Sequence, residues 1–405
     1  MTPVLRGVLA LAAGAALGAV LHESPVAAVL HAAAELAVRA VQVFVFPMVF
    51  FGLVTGMRSL GSRGALRAHA MLLAGQAVAT LTLASLGVLS VLAASPDRIP
   101  IIVVHRAAVS VPSFVQHLQQ ALPTNLFAAL AGDGALLLPV YLIALVIGLS
   151  IPEDRSGRVT AEMVDALSRL FYRINSFVTR HLWAALLLGG ASLTAALSGA
   201  GAGPYGQLVL VLAIDLGLVL AGLLLGWLLL RRRQVDLPPL SGLAVPVLTG
   251  IGTAHHHAAL AAITGHGATD LRLSTTLGST AFPLFAMFGR AGSAMVAAAT
   301  FTLVVRSYST IPLAGGEVLW IIGAASVVAF ALPAVPGGAV TAALALLAAR
   351  WGRGLDESYL VVAPVLPLLA AIGVAADVAI GGAIAVLTGA RERQLAEPKP
   401  GRRQR

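Results

Sequence analysis

Pro239-Leu240-Ser241-Gly242-Leu243-Ala244-Val245-Pro246-Val247-Leu248-Thr249-Gly250-Ile251-Gly252-Thr253-Ala254-His255-His256-His257-Ala258-Ala259-Leu260-Ala261-Ala262-Ile263-Thr264 is the stretch whose reading decides the fold. It holds two apolar runs, 239–254 and 258–264, divided by polar residues. Each is shorter than the roughly 20 residues that a helix needs to cross a bilayer. The same shape recurs at 317–334 and 340–349, divided by Val335-Pro336-Gly337-Gly338. Short apolar pairs joined by a polar or Gly/Pro tip predict re-entrant hairpins. Irregular backbone at membrane depth is tolerated only where it lines a protein cavity, so the tips are expected to enclose a polar pocket. A full crossing follows each hairpin, at 276–303 and 358–389. A hairpin plus a helix, repeated from the opposite side, is an inverted repeat whose tips meet near the midplane.

Working outward, the whole chain reads as membrane. Of its 405 residues 58% are hydrophobic and 11% charged, whereas soluble domains carry about 25% charged residues. Apolar segments near crossing length lie at 4–21, 40–57, 70–94, 134–151, 182–197 and 207–230. The fourth is expected to enter around Pro123 and end at Ser150, after a loop at about 95–112. The first, with Arg6 before an Ala/Gly-rich run, also has the look of a signal peptide, although the orientation below works with it retained. Cysteine is absent, which excludes disulfides, thiolate metal sites and cysteine nucleophiles.

The net charge of +9 does not point to nucleic acid. Arginines cluster at 58–67, 155–180, 231–233 and 391–404, each beside a hydrophobic segment end. That is the pattern of positive loops held in the cytoplasm. It places both termini there, in a cell inner (plasma) membrane. Residues 164–180 read as an amphipathic approach to the next helix, and Glu35 and Arg39, four apart, as an i,i+4 pair.

Four motifs in order resemble the dicarboxylate/amino acid:cation symporter family, which includes the glutamate transporters. Phe46-Pro47-Met48-Val49-Phe50-Phe51-Gly52-Leu53-Val54-Thr55-Gly56-Met57 resembles its second-helix signature, M-P-x-V-F-x-x-L-x-x-G. Leu122-Pro123-Thr124-Asn125-Leu126-Phe127 is similar to the I-P-T-N-x-F opening of the fourth segment. Phe282-Pro283-Leu284 with Gly292-Ser293-Ala294-Met295 follows the seventh helix, and Val335-Pro336-Gly337-Gly338 stands at the second hairpin tip. The resemblance implies an all-α polytopic fold of eight transmembrane helices plus two re-entrant hairpins, working as an elevator in a homotrimer. It implies scaffold helices at 1–68 and 112–200, a transport domain at 69–95 and 207–390, and a basic cytoplasmic tail at 391–405.

The site departs from the family. The first hairpin tip, where the family has a serine triad, reads His255, His256 and His257. The seventh-helix N-M-D-G, a sodium ligand set, is replaced by Gly289, Arg290, Ala291 and Gly292. The eighth helix, Ala371-Ile372-Gly373-Val374-Ala375-Ala376-Asp377, keeps one carboxylate. Hard cations want several oxygen ligands, so the usual sodium sites look incomplete. Arg290, permanently charged, is expected to occupy the space of a cation and to face Asp377. The resemblance gives substrate contacts to His255, His256, His257, Arg290, Pro336, Gly337, Gly338 and Asp377, and ion coupling to Gly289, Ser293 and Asp377. The histidines read alternatively as proton-coupling groups, as a transition-metal site, or as structural. Asp215 is a lesser candidate that caps a backbone group.

The expected function is secondary transport of a small organic solute, a carboxylate or amino acid, with altered or absent sodium coupling. The alternative is a non-coupled paralogue that is anion-permeable or solute-sensing. Neither H-E-x-x-H nor G-x-S-x-G occurs, so an enzyme is not expected. No cofactor and no resident metal are expected. The coupling ion is a proton or sodium. The partners are the solute, the lipid bilayer and two further copies of the chain.

Overall fold

A backbone in hydrocarbon has no water to satisfy its N–H and C=O groups, so an apolar chain of this kind closes its hydrogen bonds within helices. The computed structural model describes residues 2–58, 63–101, 137–152, 154–199, 203–267, 270–330 and 338–396, and among these every regular element is helical. The first helices are α1 (Pro3–Leu21), α2 (Val26–Arg58) and α3 (Arg63–Ala94), followed by α4 (Leu138–Ser150), α5 (Arg155–Thr179), α6 (Leu182–Gly199) and α7 (Gly206–Arg232). Then come α8 (Ala244–Thr253), α9 (His256–Gly267), α10 (Thr275–Phe288), α11 (Ala291–Tyr308), α12 (Gly315–Ala329), α13 (Gly338–Trp351) and α14 (Leu366–Ala396).

Seven described segments are long and apolar enough to cross a membrane: Pro3–Leu21, Val26–Arg58, Leu66–Ala94, Leu182–Gly199, Gly203–Arg232, Leu277–Tyr308 and Ser358–Arg393. Each overlaps an expected crossing. The expected fourth crossing is described only as α4, and the Leu122–Phe127 motif lies outside the described residues.

Local chemistry sets the helix ends. Thr2 caps α1 by accepting from the Leu5 amide, with Pro3 in the first turn, where its missing donor costs nothing. Asp154 caps α5, and the Ser156 hydroxyl with the amides of Gly157 and Ser156 holds its carboxyl below the usual carboxylate range. Helix α5 begins earlier than the expected amphipathic segment. It turns Val164, Ser168 and Asn175 inward and leaves Val159, Met163, Leu170 and Phe177 exposed. Glu35 does not pair with Arg39. Ser192 Oγ lies 2.9 Å from His31 Nδ1, which leaves His31 Nε2 turned to Glu35 at 3.5 Å.

Two apolar clusters organise the packing. One gathers α3, α7, α11, α12 and α13, and the other gathers α2, α4, α9 and α10; α14 contributes to both. Helix α1 lies on α6 so closely that a Cβ on Gly14 would stand 2.1 Å from the Leu187 carbonyl oxygen.

The 239–264 stretch folds as two short helices packed on each other, α8 and α9. Ala254 turns the chain between them in the left-handed region (φ 51°, ψ 25°), its amide donating to Gly250 O at 3.0 Å. With 10 and 12 residues, the two helices are about 15 and 18 Å long, half of a bilayer core of about 30 Å. His256 and His257 belong to α9 rather than to a polar break, because a helix absorbs them once the turn is made at Ala254. Helices α12 and α13 pack in the same way, but their junction, with Pro336 and Gly337, lies outside the described residues.

Gly14→Leu drives side-chain atoms into the α6 backbone and is expected to cost at least about 1–3 kcal/mol. The readout is a lowered thermal midpoint of the detergent-solubilised protein. Gly217→Ala, whose Cβ meets nothing within 4 Å, leaves the midpoint unchanged.

Candidate functional site

The expected crossing at 276–303 is interrupted in the middle. Helix α10 stops at Phe288, Gly289 and Arg290 take non-helical angles (φ −79°, ψ 59° and φ −111°, ψ 27°), and α11 restarts at Ala291. A helix that starts inside a protein exposes first-turn amides that need acceptors. Asp377, from the middle of α14, supplies them. Its Oδ1 accepts from the amides of Gly292 (2.7 Å) and Ser293 (3.0 Å), and its Oδ2 accepts from Ser293 Oγ (2.6 Å). The carboxylate thus sits at the positive end of the α11 dipole. The contact requires glycine at 292, where a Cβ would lie 2.4 Å from Gly373 O and 2.4 Å from Ala376 Cβ.

Arg290, just before this cap, is 1% exposed and is among the largest fully buried side chains. Its Nε and Nη1 have no hydrogen-bond partner among the described residues. The guanidinium and the Asp377 carboxylate make no contact within 4.0 Å, although their opposite charges still attract each other across the break. Among the described residues the one basic side-chain nitrogen within 4.0 Å of the Asp377 carboxylate is His256 Nδ1, at 3.7 Å, a contact that carries charge only when the ring is protonated. The carboxylate is turned instead toward the backbone of α11 and Ser293, which supply three donors to it.

The three tip histidines are buried but diverge: His256 and His257, successive positions of α9, point about 100° apart, whereas His255, in the turn before the helix, lies on the side of His257. His256 lies over Phe285 (ring centroids 4.8 Å) on the Asp377 side, with neither ring nitrogen hydrogen-bonded among the described residues. His255 and His257 face the other way, onto α2. The His257 amide donates to His255 Nδ1 at 3.1 Å, so the proton of neutral His255 sits on Nε2. The Gln42 side-chain amide lies 2.9 Å from that Nε2 and 3.4 Å from His257 Nδ1. Gln42 Nε2 is the atom at these distances, and because this His255 nitrogen donates, the hydrogen bond forms with the amide turned over so that Oε1 accepts. His257 Nε2 stays without a partner among the described residues, and Phe46 packs edge-on against its ring at 5.9 Å.

The structure therefore gathers His256, Arg290, Ser293 and Asp377 around the α10–α11 break, with Gly289 forming the break itself. Gly338 opens α13. Asp215 does not join this group and does not cap a backbone. It is fully buried on α7 and its Oδ2 accepts from Ser90 Oγ of α3 at 2.7 Å. Sequence reasoning missed Gln42 and Phe285. Gln42 carried a usable signal, a lone amide inside the apolar run 40–57, where polar groups rarely occur without a partner. Phe285 had none, being one aromatic among many apolar residues.

Removing the acceptor of three buried donors in Asp377→Ala is expected to cost about 2–4 kcal/mol, and Ser293→Ala about 1 kcal/mol. Thermal unfolding of purified protein reads both, with Asp377→Ala the more damaging. Equal midpoints for the two variants would show that the interior cap is not what holds α11.

Comparison with known proteins fits this geometry. A search of curated proteins finds no match. The family model described as "Sodium:dicarboxylate symporter family" matches residues 4–390 of the 405. Members of that family are multi-pass membrane transporters, consistent with the seven apolar crossing segments. With the match covering nearly its whole length, the chain belongs to the sodium:dicarboxylate symporter family.

Proposed function

We propose that this protein is a secondary transporter for a small organic anion, a carboxylate or an amino acid, in which the Arg290 guanidinium stands in for a bound sodium ion. The observation that carries this reading is the buried guanidinium with unpartnered Nε and Nη1. An uncompensated buried charge costs several kcal/mol, and a planar fork of N–H donors matches a carboxylate in bidentate fashion. A substrate carboxylate supplies the missing counter-charge. Sodium is disfavoured on two grounds. Asp377 is already occupied by three donors, and a fixed cation nearby repels another. A proton is the remaining coupling ion, with His256 beside Asp377 as its closest candidate carrier.

The transport cycle is an elevator motion in a homotrimer, with α8–α9 and α12–α13 entering the bilayer from opposite faces and both termini in the cytoplasm of an inner-membrane protein. Packing supports the division of labour. Helix α1 lies on α6, and α2 on α4, α5 and α6, whereas α3 lies on α11, α12 and α14. His255, His257, Pro336, Gly337 and Gly338 then line the substrate path at the two tips.

The test is uptake into proteoliposomes of purified protein. Labelled carboxylate is expected to show counterflow, which a channel or sensor does not, and to be driven by a proton gradient rather than a sodium gradient. Arg290→Met loses about 10–100-fold in apparent affinity, the value of a charge-assisted contact, and Arg290→Lys is intermediate. Uptake that counts sodium ions in fixed stoichiometry, or that ignores Arg290→Met, overturns the reading.

A further inference from the structure

An apolar groove opens on the flank of α7, lined among others by Gly222, Gly226, Trp227, Leu240, Leu271 and Val386. Gly222 and Gly226 are one turn apart, and a Cβ on either would meet nothing within 4 Å, so together they leave a trough in the helix surface. Trp227 forms one wall and is fixed there by donating from Nε1 to the Pro238 carbonyl at 2.9 Å. At its end the groove meets the arginine run. The Arg231 guanidinium lies over the Trp227 ring, 4.9 Å from its centroid, and Arg232 and Arg233 are exposed beside it. None of the three has an ion-pair partner among the described residues. The neighbouring carboxylate, Asp236, is engaged instead by Arg272 at 3.5 Å. Arg393, which donates to the carbonyls of Arg272 and Asp236, adds a further cation on the same side.

We infer that this is a binding site for an anionic phospholipid, with an acyl chain in the trough beside Gly222 and Gly226 and the phosphate on Arg231, Arg232 and Arg233. Charge complementarity selects the occupant. A free anion has no use for an apolar trough, a zwitterionic lipid leaves the arginines without a net counter-charge, and a second copy would bring the same positive run against itself. Tryptophan at the wall suits the membrane–water interface, where its amphipathic ring settles. Clustered arginines at the cytoplasmic end of a crossing helix attract anionic headgroups. The inference uses the membrane embedding of the family and does not depend on what is transported.

The experiment is native mass spectrometry of the full-length protein from nanodiscs containing equal phosphatidylglycerol and phosphatidylcholine. The wild type is expected to retain phosphatidylglycerol preferentially. Gly226→Leu fills the trough without changing charge and is expected to weaken retention about tenfold. Replacing Arg231, Arg232 and Arg233 together by glutamine removes the preference by a similar factor. Melting temperature confirms that each variant is folded; should the triple variant fail to fold, Gly226→Leu carries the test alone. Equal retention of both lipids by the wild type, unchanged retention by Gly226→Leu, or displacement of phosphatidylglycerol by inorganic phosphate at comparable concentration overturns the inference.

Discussion

A helix that begins inside a membrane protein presents bare amides where no water reaches, and the single carboxylate of Asp377 answers that problem. The arrangement of the site follows from it. The chain can break at Gly289 and Arg290 because the new helix start is satisfied from α14. Helices α11 and α14 must then touch at backbone distance, which is why residue 292 has no side chain. The break places Gly289 and Arg290 in non-helical geometry, and of the two only Arg290 has a side chain to bury there. The cap thus creates the position that the guanidinium occupies.

With the carboxylate turned to the cap, Nε and Nη1 of Arg290 have no hydrogen-bond partner among the described residues, and Asp377 acts on the guanidinium through space rather than by contact. Charge within the site is divided by function: the negative group is spent on holding backbone, and the positive group retains free donors. A buried ion pair in direct contact would instead have spent the guanidinium donors on Asp377. The histidines are divided as well. His256 looks toward Asp377, whereas His255 and His257 look toward Gln42.

The half-length runs 239–254 and 258–264 and the order of the four motifs were enough to read the helical membrane fold, because hydropathy and length are local properties. The break at 289–290 was hidden in the apolar pattern, since the residues on both sides of it look like one continuous crossing. Asp377 is the opposite charge that acts on Arg290, but without the direct contact expected, because sequence gives the sign of a charge and not the competition for it. Asp377 matched a guanidinium on paper, yet two amides and a hydroxyl of α11 were nearer. Gln42 was overlooked for a related reason: its role exists only across 213 positions of chain, where α2 meets the hairpin. The Glu35–Arg39 pair failed because His31, oriented by Ser192 of α6, lay on the other side of the same carboxylate.

The link between Gln42 and the α8–α9 turn acts as a latch. One amide of α2 engages the ring of His255 in the turn and that of His257 in α9, and Asn175 of α5 grips α9 further along by donating to the Ala261 carbonyl at 2.9 Å. Two helices thus fasten α9 at two points through side chains whose partners are far away in the chain, and any shift of α9 against α2 or α5 has to break these bonds first.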